Sequence, residues 1–300
     1  MQRLWILVLT FAACRTPATE PVVDAETGTR VRIATFNVRR FFDTVCDSGT
    51  CGDDNYEDQA SPAYFESRAA QLAEAIIKLD ADVLSLQEIE SQACLDALLT
   101  NLPGMYGVLG EINTVASVDV AVLSKTPLDN VTGHRATHPL TLPDGRVTTF
   151  SRELLEVQVR ATDGTKIVMF AAHFKSKSAD DPARRLAEAQ VSSQVITALA
   201  AVEPDSLVIL GGDLNDTPDS PPLTALTVDG GLVRVADDLA ISAQATYRYA
   251  GNGQAIDHLL IAPSAASWRV PRSSRVWRDA SGWGGSDHAA LTSEFLFPLR

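Results

Sequence analysis

Apolar residues along this chain fall into two patterns, short continuous runs and runs with helical spacing. The first run, Val31 to Val38, is rich in strand-forming residues and predicts a buried strand. Between Ser67 and Leu79, apolar residues recur along one face of a helix, at Ala69, Leu72, Ala73, Ile76 and Ile77. The run from Ala81 to Leu86 predicts a second buried strand. The order here is therefore strand, loop, helix, strand.

The same order returns further along the chain. Lys166 to Ala172 predicts a strand, Pro182 to Ala201 a helix, and Leu207 to Leu210 another strand. The two halves share no sequence identity, so the repeat is one of architecture. Further strands are predicted at Ser117–Leu123, Thr148–Val159, Ile256–Ile261, Arg269–Trp277 and Ala290–Phe297. We therefore predict an α/β fold over residues 31–300, with two packed sheets and helices outside them.

The first residues have the pattern of an export signal. Met1-Gln2-Arg3 precedes an apolar run from Leu4 to Ala13, which is too short to span a bilayer, where about 20 residues are needed. Ala12-Ala13-Cys14 resembles the lipobox of bacterial lipoproteins, in which the cysteine is lipidated, although Phe11 departs from the usual leucine and leaves ordinary secretion open. We expect a signal peptide at 1–14 and a flexible tether at 15–30.

Export makes the cysteines candidates for oxidation. Cys46 and Cys51 flank a glycine-containing loop and are close enough in sequence to pair, although two free thiols in a mobile loop remain an alternative. Cys94 has no local partner and is predicted to be a small buried residue.

The formal charge of the 300-residue chain is -13, with a pI near 4.8. This balance argues against nucleic-acid binding by bulk electrostatics, because neutralising phosphates requires clustered Lys and Arg. It does not exclude a polyanionic substrate, since a bound divalent cation and a local basic rim can reverse the field at one site.

Polar residues stand at the ends of the predicted strands. They comprise carboxylates, amides and imidazoles, namely Glu88, Asp213, Asp257, Asp287, Asn37, Asn215, His173 and His288. Oxygen-rich sets of this kind select hard cations such as Mg²⁺, Mn²⁺ or Ca²⁺ over zinc. The sequence contains no HExxH, CxxC or P-loop lysine motif. A Mg²⁺ site at one rim of the sheets, where α/β folds bind ligands, is therefore expected.

Six short motifs in order carry a family resemblance. They are Phe-Asn-Val-Arg at 36–39, Leu-Gln-Glu at 86–88, Ala-His-Phe-Lys-Ser at 172–176, Gly-Asp-Leu-Asn at 212–215, Ile-Asp-His at 256–258 and Ser-Asp-His at 286–288. The set resembles the DNase I-like endonuclease/exonuclease/phosphatase superfamily over nearly all of residues 31–297. The resemblance implies a four-layer α/β sandwich of two packed mixed β-sheets flanked by helices.

The resemblance also implies roles for the metal and water ligands. Glu88 would be the main metal ligand, with Asn37 and Asp287 helping to hold the cation or its waters. Asp213 would orient or deprotonate the attacking water, and Asn215 would position that water or the phosphate.

The two histidines are implied to contact the scissile phosphate. Asp257 would hydrogen-bond His288 and fix its tautomer, while the acid that should orient His173 is not evident, with Glu111 as a candidate. Whether Asp213 or His288 is the general base stays open at this point.

Basic residues beside these motifs resemble those of secreted bacterial nucleases. The resemblance makes Arg39, Arg152 and Lys175 phosphate contacts. The segment from Trp268 to Trp283 adds arginines and tryptophans that suit stacking on nucleic acid, or an edge hairpin with solvated arginines. His134 lies in a predicted loop and is expected to be solvated.

We therefore predict an exported Mg²⁺-dependent phosphodiesterase, a nuclease that cuts DNA, with RNA left open as a further substrate. It would be a monomer, lipid-anchored through Cys14 to a bacterial membrane in the periplasm or at the surface, or else secreted. One alternative is a phospholipid or sugar-phosphate phosphoesterase of the same fold, resembling a sphingomyelinase. Another is a non-catalytic surface binding lipoprotein.

Overall fold

The fold was obtained as a computed structural model, which describes residues 28–52, 55–279 and 282–298. The predicted signal peptide at 1–14, Cys14 and most of the tether lie outside the described residues. The first strand begins at Gly28, so residues 28–30 of the segment predicted as tether belong to the sheet. In the part of the chain that the structure describes, no helix is long and apolar enough to cross a membrane.

The strands of the described residues are, in chain order, β1 Gly28–Phe41, β2 Val83–Ile89, β3 Tyr106–Gly110, β4 Asp119–Ser124, β5 Leu128–Gly133, β6 Leu140–Thr141, β7 Val147–Thr148, β8 Leu155–Arg160, β9 Lys166–His173, β10 Leu207–Asp213, β11 Val233–Arg234, β12 Tyr247–Tyr249, β13 Asn252–Gln254, β14 Asp257–Ile261, β15 Arg275–Trp277 and β16 Ala290–Pro298. The α-helices are α1 Pro62–Leu79, α2 Gln92–Thr100, α3 Pro182–Val202 and α4 Pro221–Thr224. A π-helical turn covers Ala225–Asp229, and short 3₁₀ helices cover Val235–Asp238, Ile241–Ala243 and Pro263–Trp268.

Two large mixed sheets form from these strands. The first has the order β15-β16-β1-β2-β4-β3, and the second has the order β11-β14-β10-β9-β8-β5. Each is built around one parallel pair, β1 with β2 and β10 with β9, to which antiparallel strands are added. The predicted sandwich of two mixed β-sheets flanked by helices is confirmed.

Alternation along the strands separates the inner layer from the outer layers. Ile33 of β1 and Ile209 of β10 belong to the apolar cluster between the two sheets. Their chain neighbours Ala34 and Leu210 point the other way and join separate clusters beneath α1 and α3. Because every central strand is apolar on both faces, the strands read as continuous apolar runs in the sequence.

Capping residues set the helix starts. The Ser61 side chain accepts a hydrogen bond from the Tyr64 backbone N–H, and Pro62 occupies the first helical turn. Helix α1 therefore begins five residues before the apolar pattern predicts. Asp181 caps α3 in the same way.

Two predicted strands are shorter than expected. Thr148–Val159 is split into β7 and β8, and residues 149–154 between them form a loop. Of Arg269–Trp277 only β15 is a strand, because Pro271 lacks the N–H that a ladder requires. The first of these loops carries Arg152 towards the site.

Candidate active site

Strand register places Asp213 at the centre of the site. Asp213 ends β10 and lies opposite His173 of β9 on one side and Asp257 of β14 on the other. Its Oδ2 accepts a hydrogen bond from Asn37 Nδ2 at 3.0 Å and lies 3.6 Å from His173 Nε2 and 3.9 Å from His288 Nε2. Ends of strands from both sheets thus meet at one carboxylate.

Burial governs the charge of Asp213. The side chain is almost fully buried, and this burial together with the neighbouring Asp257 charge raises its pKa to about 7. Asn215 N–H donates to Asp213 Oδ1 at 2.9 Å, and Asn215 Nδ2 donates to the Phe174 carbonyl at 3.1 Å. Asp213 is therefore fixed in place and able to exchange a proton near neutral pH.

Asp257 and His288 form the pair that the resemblance implies. His288 Nδ1 lies 2.9 Å from Asp257 Oδ2, and the Tyr247 ring lies 4.8 Å from the imidazole, centroid to centroid. Burial by itself would lower the pKa of His288, but the Asp257 carboxylate raises it to about 10. His288 is therefore a protonated donor at neutral pH, with Nε2 turned towards Asp213.

The turn before His288 is tied to the first strand. Ser286 Oγ donates to the Asn37 carbonyl at 2.8 Å and accepts the His288 N–H at 3.0 Å. Buried Arg68 of α1 reaches the same region and donates to the carbonyls of Gly284 and Val38, both at 2.7 Å. These bonds fix the adjacent Asp287 and His288 so that they face different partners.

Glu88 has an unusual backbone. Its φ is +70°, in the left-handed region that non-glycine residues rarely adopt, at an irregularity in β2 between Gln87 and Ile89. Glu88 Oε1 accepts from Asn37 Nδ2 at 3.2 Å, and Oε2 accepts from the Arg40 N–H at 2.7 Å. The irregularity turns the carboxylate into a cleft that Asp213, His173 and His288 also line. Strain of this kind is typical of functional sites.

The oxygen donors of the cleft fit a hard divalent cation. Glu88 and Asp287 line the same cleft, and carboxylate oxygens are what Mg²⁺ and Mn²⁺ prefer. Asn37 uses its amide oxygen to accept the Arg39 N–H at 2.9 Å and turns its nitrogen towards Glu88. The amide nitrogen therefore orients the Glu88 carboxylate.

His173 differs from His288 in its surroundings. Its pKa is well below the usual value because the ring is buried, with the charges of Arg152 and His288 adding to the effect. Its Nδ1 is buried, and among the described residues it has no hydrogen-bond partner. Glu111 is exposed and does not take the role of orienting acid. His173 is consequently neutral.

A basic rim surrounds the acidic centre. The cleft has a volume of about 880 Å³ and is lined by all three predicted phosphate contacts, Arg39, Arg152 and Lys175. Arg40 and Tyr56, which the sequence does not single out, line it too, and the Arg40 guanidinium lies 4.9 Å from the Tyr56 ring centroid. The chain is acidic overall, yet cations are concentrated here.

The loop that carries Tyr56 is braced in two ways. Cys46 and Cys51 form a disulfide in the structure. Buried Glu57 accepts the backbone N–H groups of Asp47 and Ser48 at 2.6 and 2.8 Å. Cys94 is free and buried, which confirms that expectation.

Two expectations need correction or limitation. His134 is buried rather than solvated, and its Nε2 lies 3.0 Å from Glu156 Oε2, because β8 brings this acid beside it.

In the Trp268–Trp283 segment, Arg275 stacks on Trp277 at 3.6 Å and Trp268 packs against Phe297. These side chains make internal contacts and do not line the cleft.

A family model described as the endonuclease/exonuclease/phosphatase family matches residues 34–288. The chain belongs to this family. Members of the endonuclease/exonuclease/phosphatase family are generally hydrolases that act on phosphodiester bonds, and they typically use divalent metal ions. A sequence comparison with curated proteins gives no match.

Solved structures agree with the fold of the family. The human Nocturnin catalytic domain with bound sulfate superposes with a TM-score of 0.63 at 16% identity, covering 91% of this chain and 96% of that one. TDP2 from D. rerio, complexed with a single-strand DNA product, gives 0.62 at 17% identity and covers 89% and 99%. A family protein from Bacteroides thetaiotaomicron gives 0.61 at 17% identity and covers 92% and 98%. At these identities the likeness concerns the fold alone.

Proposed function

We propose that this protein is a Mg²⁺-dependent phosphodiesterase that acts as a nuclease on DNA, and the substrate test below decides whether it also cleaves RNA. The observation that carries the proposal is the cleft itself, where Asp213, His173 and His288 converge within 3.9 Å beneath a rim of arginines and lysines. Hydrolysis of a phosphodiester needs an activated water, stabilisation of phosphoryl charge and assistance to the leaving oxygen. The cleft offers a group for each of these tasks.

Asp213 is assigned the role of general base. Its pKa of about 7 suits proton transfer from water near neutral pH, whereas the pKa of about 10 at His288 keeps that imidazole protonated. His288 then donates from Nε2 to a phosphoryl oxygen, while Asp257 holds its Nδ1. Neutral His173 donates from Nε2 to a second oxygen, and Asn215 positions the water or the phosphate.

The metal would be held by Glu88 and Asp287, with Asn37 orienting Glu88. When bound, Mg²⁺ would supply positive charge to the phosphoryl oxygens and to the leaving oxygen as its bond to phosphorus breaks. Arg39, Arg152 and Lys175 would bind the substrate phosphates on either side, because guanidinium and ammonium groups pair well with phosphate oxygens.

The nuclease assignment is supported by this rim and by the fold of TDP2, whose D. rerio structure holds a single-strand DNA product. The rival within the fold is a phospholipid or sugar-phosphate phosphoesterase. The purified chain should be incubated with plasmid DNA, RNA and phospholipid vesicles, with Mg²⁺ or with EDTA. Metal-dependent lipid cleavage beside intact DNA and RNA would overturn the nuclease assignment.

Matched variants separate this enzyme from a non-catalytic binding protein or a contaminant. His288→Ala should lose hydrolysis by about 10²- to 10⁴-fold. Asp144→Asn, in an exposed turn that does not line the cleft, should keep it. Equal hydrolysis by both variants would favour the non-catalytic reading.

Export and lipidation complete the proposal. The supporting features are the apolar run of residues 4–13 and the small residues before Cys14. Radiolabelled palmitate should label the wild-type chain but not Cys14→Ser when each is expressed in bacteria. Labelling of neither chain would favour secretion without an anchor.

A further inference from the structure

Helix α3 contains a buried carboxylate that joins two loops of the cleft. Glu188 is 0% exposed, and its two oxygens accept hydrogen bonds from different loops. Oε1 accepts the Ser151 N–H and Oε2 accepts the Lys175 N–H, both at 2.6 Å. Ser151 directly precedes Arg152 in the loop between β7 and β8, and Lys175 follows β9.

Neighbouring residues of α3 hold the same two loops. Arg184 donates from Nε and Nη2 to the Thr149 carbonyl at 3.1 and 2.7 Å. Arg185 donates from Nη1 to the Lys175 carbonyl at 3.0 Å. The backbone of Lys175 is thus held at both its N–H and its carbonyl by one helix, which also holds the loop carrying Arg152.

The chemistry of this contact calls for a carboxylate. Two N–H donors converge from separate loops, and an ionised carboxylate accepts at both oxygens, whereas glutamine would turn its own N–H₂ towards one of them. A buried charge is costly unless it is hydrogen-bonded in this way, and the nearest Arg184 nitrogen is 3.9 Å from Glu188 Oε1. If this buried helix position held no loop in place, an apolar side chain there would stabilise the fold more than a carboxylate does.

We propose that Glu188 is a positioning residue that sets the placement of Arg152 and Lys175, and so governs how the cleft binds a substrate phosphate. This inference rests on the proposed function, in which both cations bind phosphate. Glu188 itself does not touch the substrate.

The test compares Glu188→Gln with Glu156→Gln in the presence of Mg²⁺. Glu156 is a matched control, because it is also buried and hydrogen-bonded, but its partners His134 and Gln158 do not line the cleft. At a temperature at which both variants are folded by circular dichroism, calorimetric titration with inorganic phosphate should show about tenfold weaker binding to Glu188→Gln, since one acceptor is lost. Glu156→Gln should bind phosphate as the wild type does.

Nucleic-acid hydrolysis gives a second readout. Glu188→Gln should raise KM more than it lowers kcat. Adding Lys175→Ala to Glu188→Gln should lower kcat/KM by a smaller factor than Lys175→Ala does in the wild type, because the Lys175 ammonium is already misplaced. Additive effects of the two substitutions would contradict the proposal. The proposal would also be contradicted if Glu188→Gln bound phosphate as tightly as the wild type, if Glu156→Gln weakened phosphate binding equally, or if the wild type bound no phosphate.

Arg184→Lys is the second variant if Glu188→Gln does not fold. This substitution keeps the positive charge but loses the contact of two nitrogens to the Thr149 carbonyl. It should weaken phosphate binding about threefold. An unchanged affinity would then refute the proposal. Phosphate binding that depends on Glu188 in a chain that hydrolyses no phosphodiester would overturn the proposed function and retain the role of Glu188.

Discussion

Replacing Asp257 by asparagine should damage His288 while sparing the metal site. The 2.9 Å contact between Asp257 Oδ2 and His288 Nδ1 is a charge-assisted hydrogen bond between buried groups. Such bonds contribute about 1.5–3 kcal/mol, and each 1.4 kcal/mol is about tenfold in rate, so kcat should fall about 10- to 150-fold. The Mg²⁺ dissociation constant should change less than about threefold, because Asp257 is not among the proposed metal ligands.

Asp287→Asn is the matched control, and its main expected effect is on Mg²⁺ binding rather than on His288. Asp287 adjoins His288 in sequence, but its Oδ2 lies 3.7 Å from Arg39 Nε and it faces the cleft. Its substitution should weaken Mg²⁺ binding more than Asp257→Asn does, and saturating Mg²⁺ should restore much of the lost rate. The assay is hydrolysis of a labelled oligonucleotide over a Mg²⁺ series, with calorimetric Mg²⁺ titration in parallel.

The pH profile provides a further check. In the wild type the Asp257 carboxylate holds the pKa of His288 near 10, so the imidazole stays protonated through neutrality. Without that charge the pKa falls, and the activity of Asp257→Asn should decline as pH rises through the neutral range. Equal effects of both substitutions on rate and on Mg²⁺ affinity would refute the division of roles.

Three further predictions concern stability. Burial raises the pKa of Asp119 from 3.8 to about 6, so its contribution to stability is full below pH 3.8 and is lost as pH rises through 6. Chemical denaturation over this pH range should show that Asp119→Asn removes about 3 kcal/mol of the decline in unfolding free energy. A variant whose unfolding free energy declines with pH as steeply as that of the wild type would contradict this. Cys46→Ser should cost about 2 kcal/mol of unfolding free energy, because the disulfide closes a short loop, and reduction of the wild type should match it. Gly212→Ala should lower the unfolding free energy by about 3 kcal/mol, since a Cβ would lie 2.0 Å from the Ala172 carbonyl oxygen. If the variant melts at the same temperature as the wild type, β9 and β10 can move apart without cost, and the prediction is wrong.

The layers of the fold could be predicted because alternation and apolar runs follow from burial. Val31–Val38 and Lys166–Ala172 are apolar on both faces, as strands covered on both sides must be, and both lie within observed strands. Helix α2 was not predicted, because its nine residues are too few to establish a helical period. The start of α1 was misplaced because a capping serine and a proline, not apolar residues, define it.

The site was less predictable than the fold, since its geometry depends on non-local contacts. The residue types at strand ends could be read from the sequence. Nothing in the sequence indicated the left-handed conformation of Glu88, or that the His173 Nδ1 has no hydrogen-bond partner among the described residues. Glu188 was hidden for a similar reason. It lies on a buried helix face with Arg185, Ser192 and other polar residues, and the two loops it joins are remote in sequence.

The central claim is that Asp213 activates water for metal-dependent hydrolysis of nucleic acid. The most direct measurement is the cleavage rate of a labelled single-stranded DNA by wild type and by Asp213→Asn, each with Mg²⁺ and with EDTA. The wild type should cleave only with Mg²⁺, and Asp213→Asn should be slower by about 10²- to 10⁴-fold. Intact DNA in the wild-type reaction with Mg²⁺, or cleavage by Asp213→Asn at the wild-type rate, would contradict the claim.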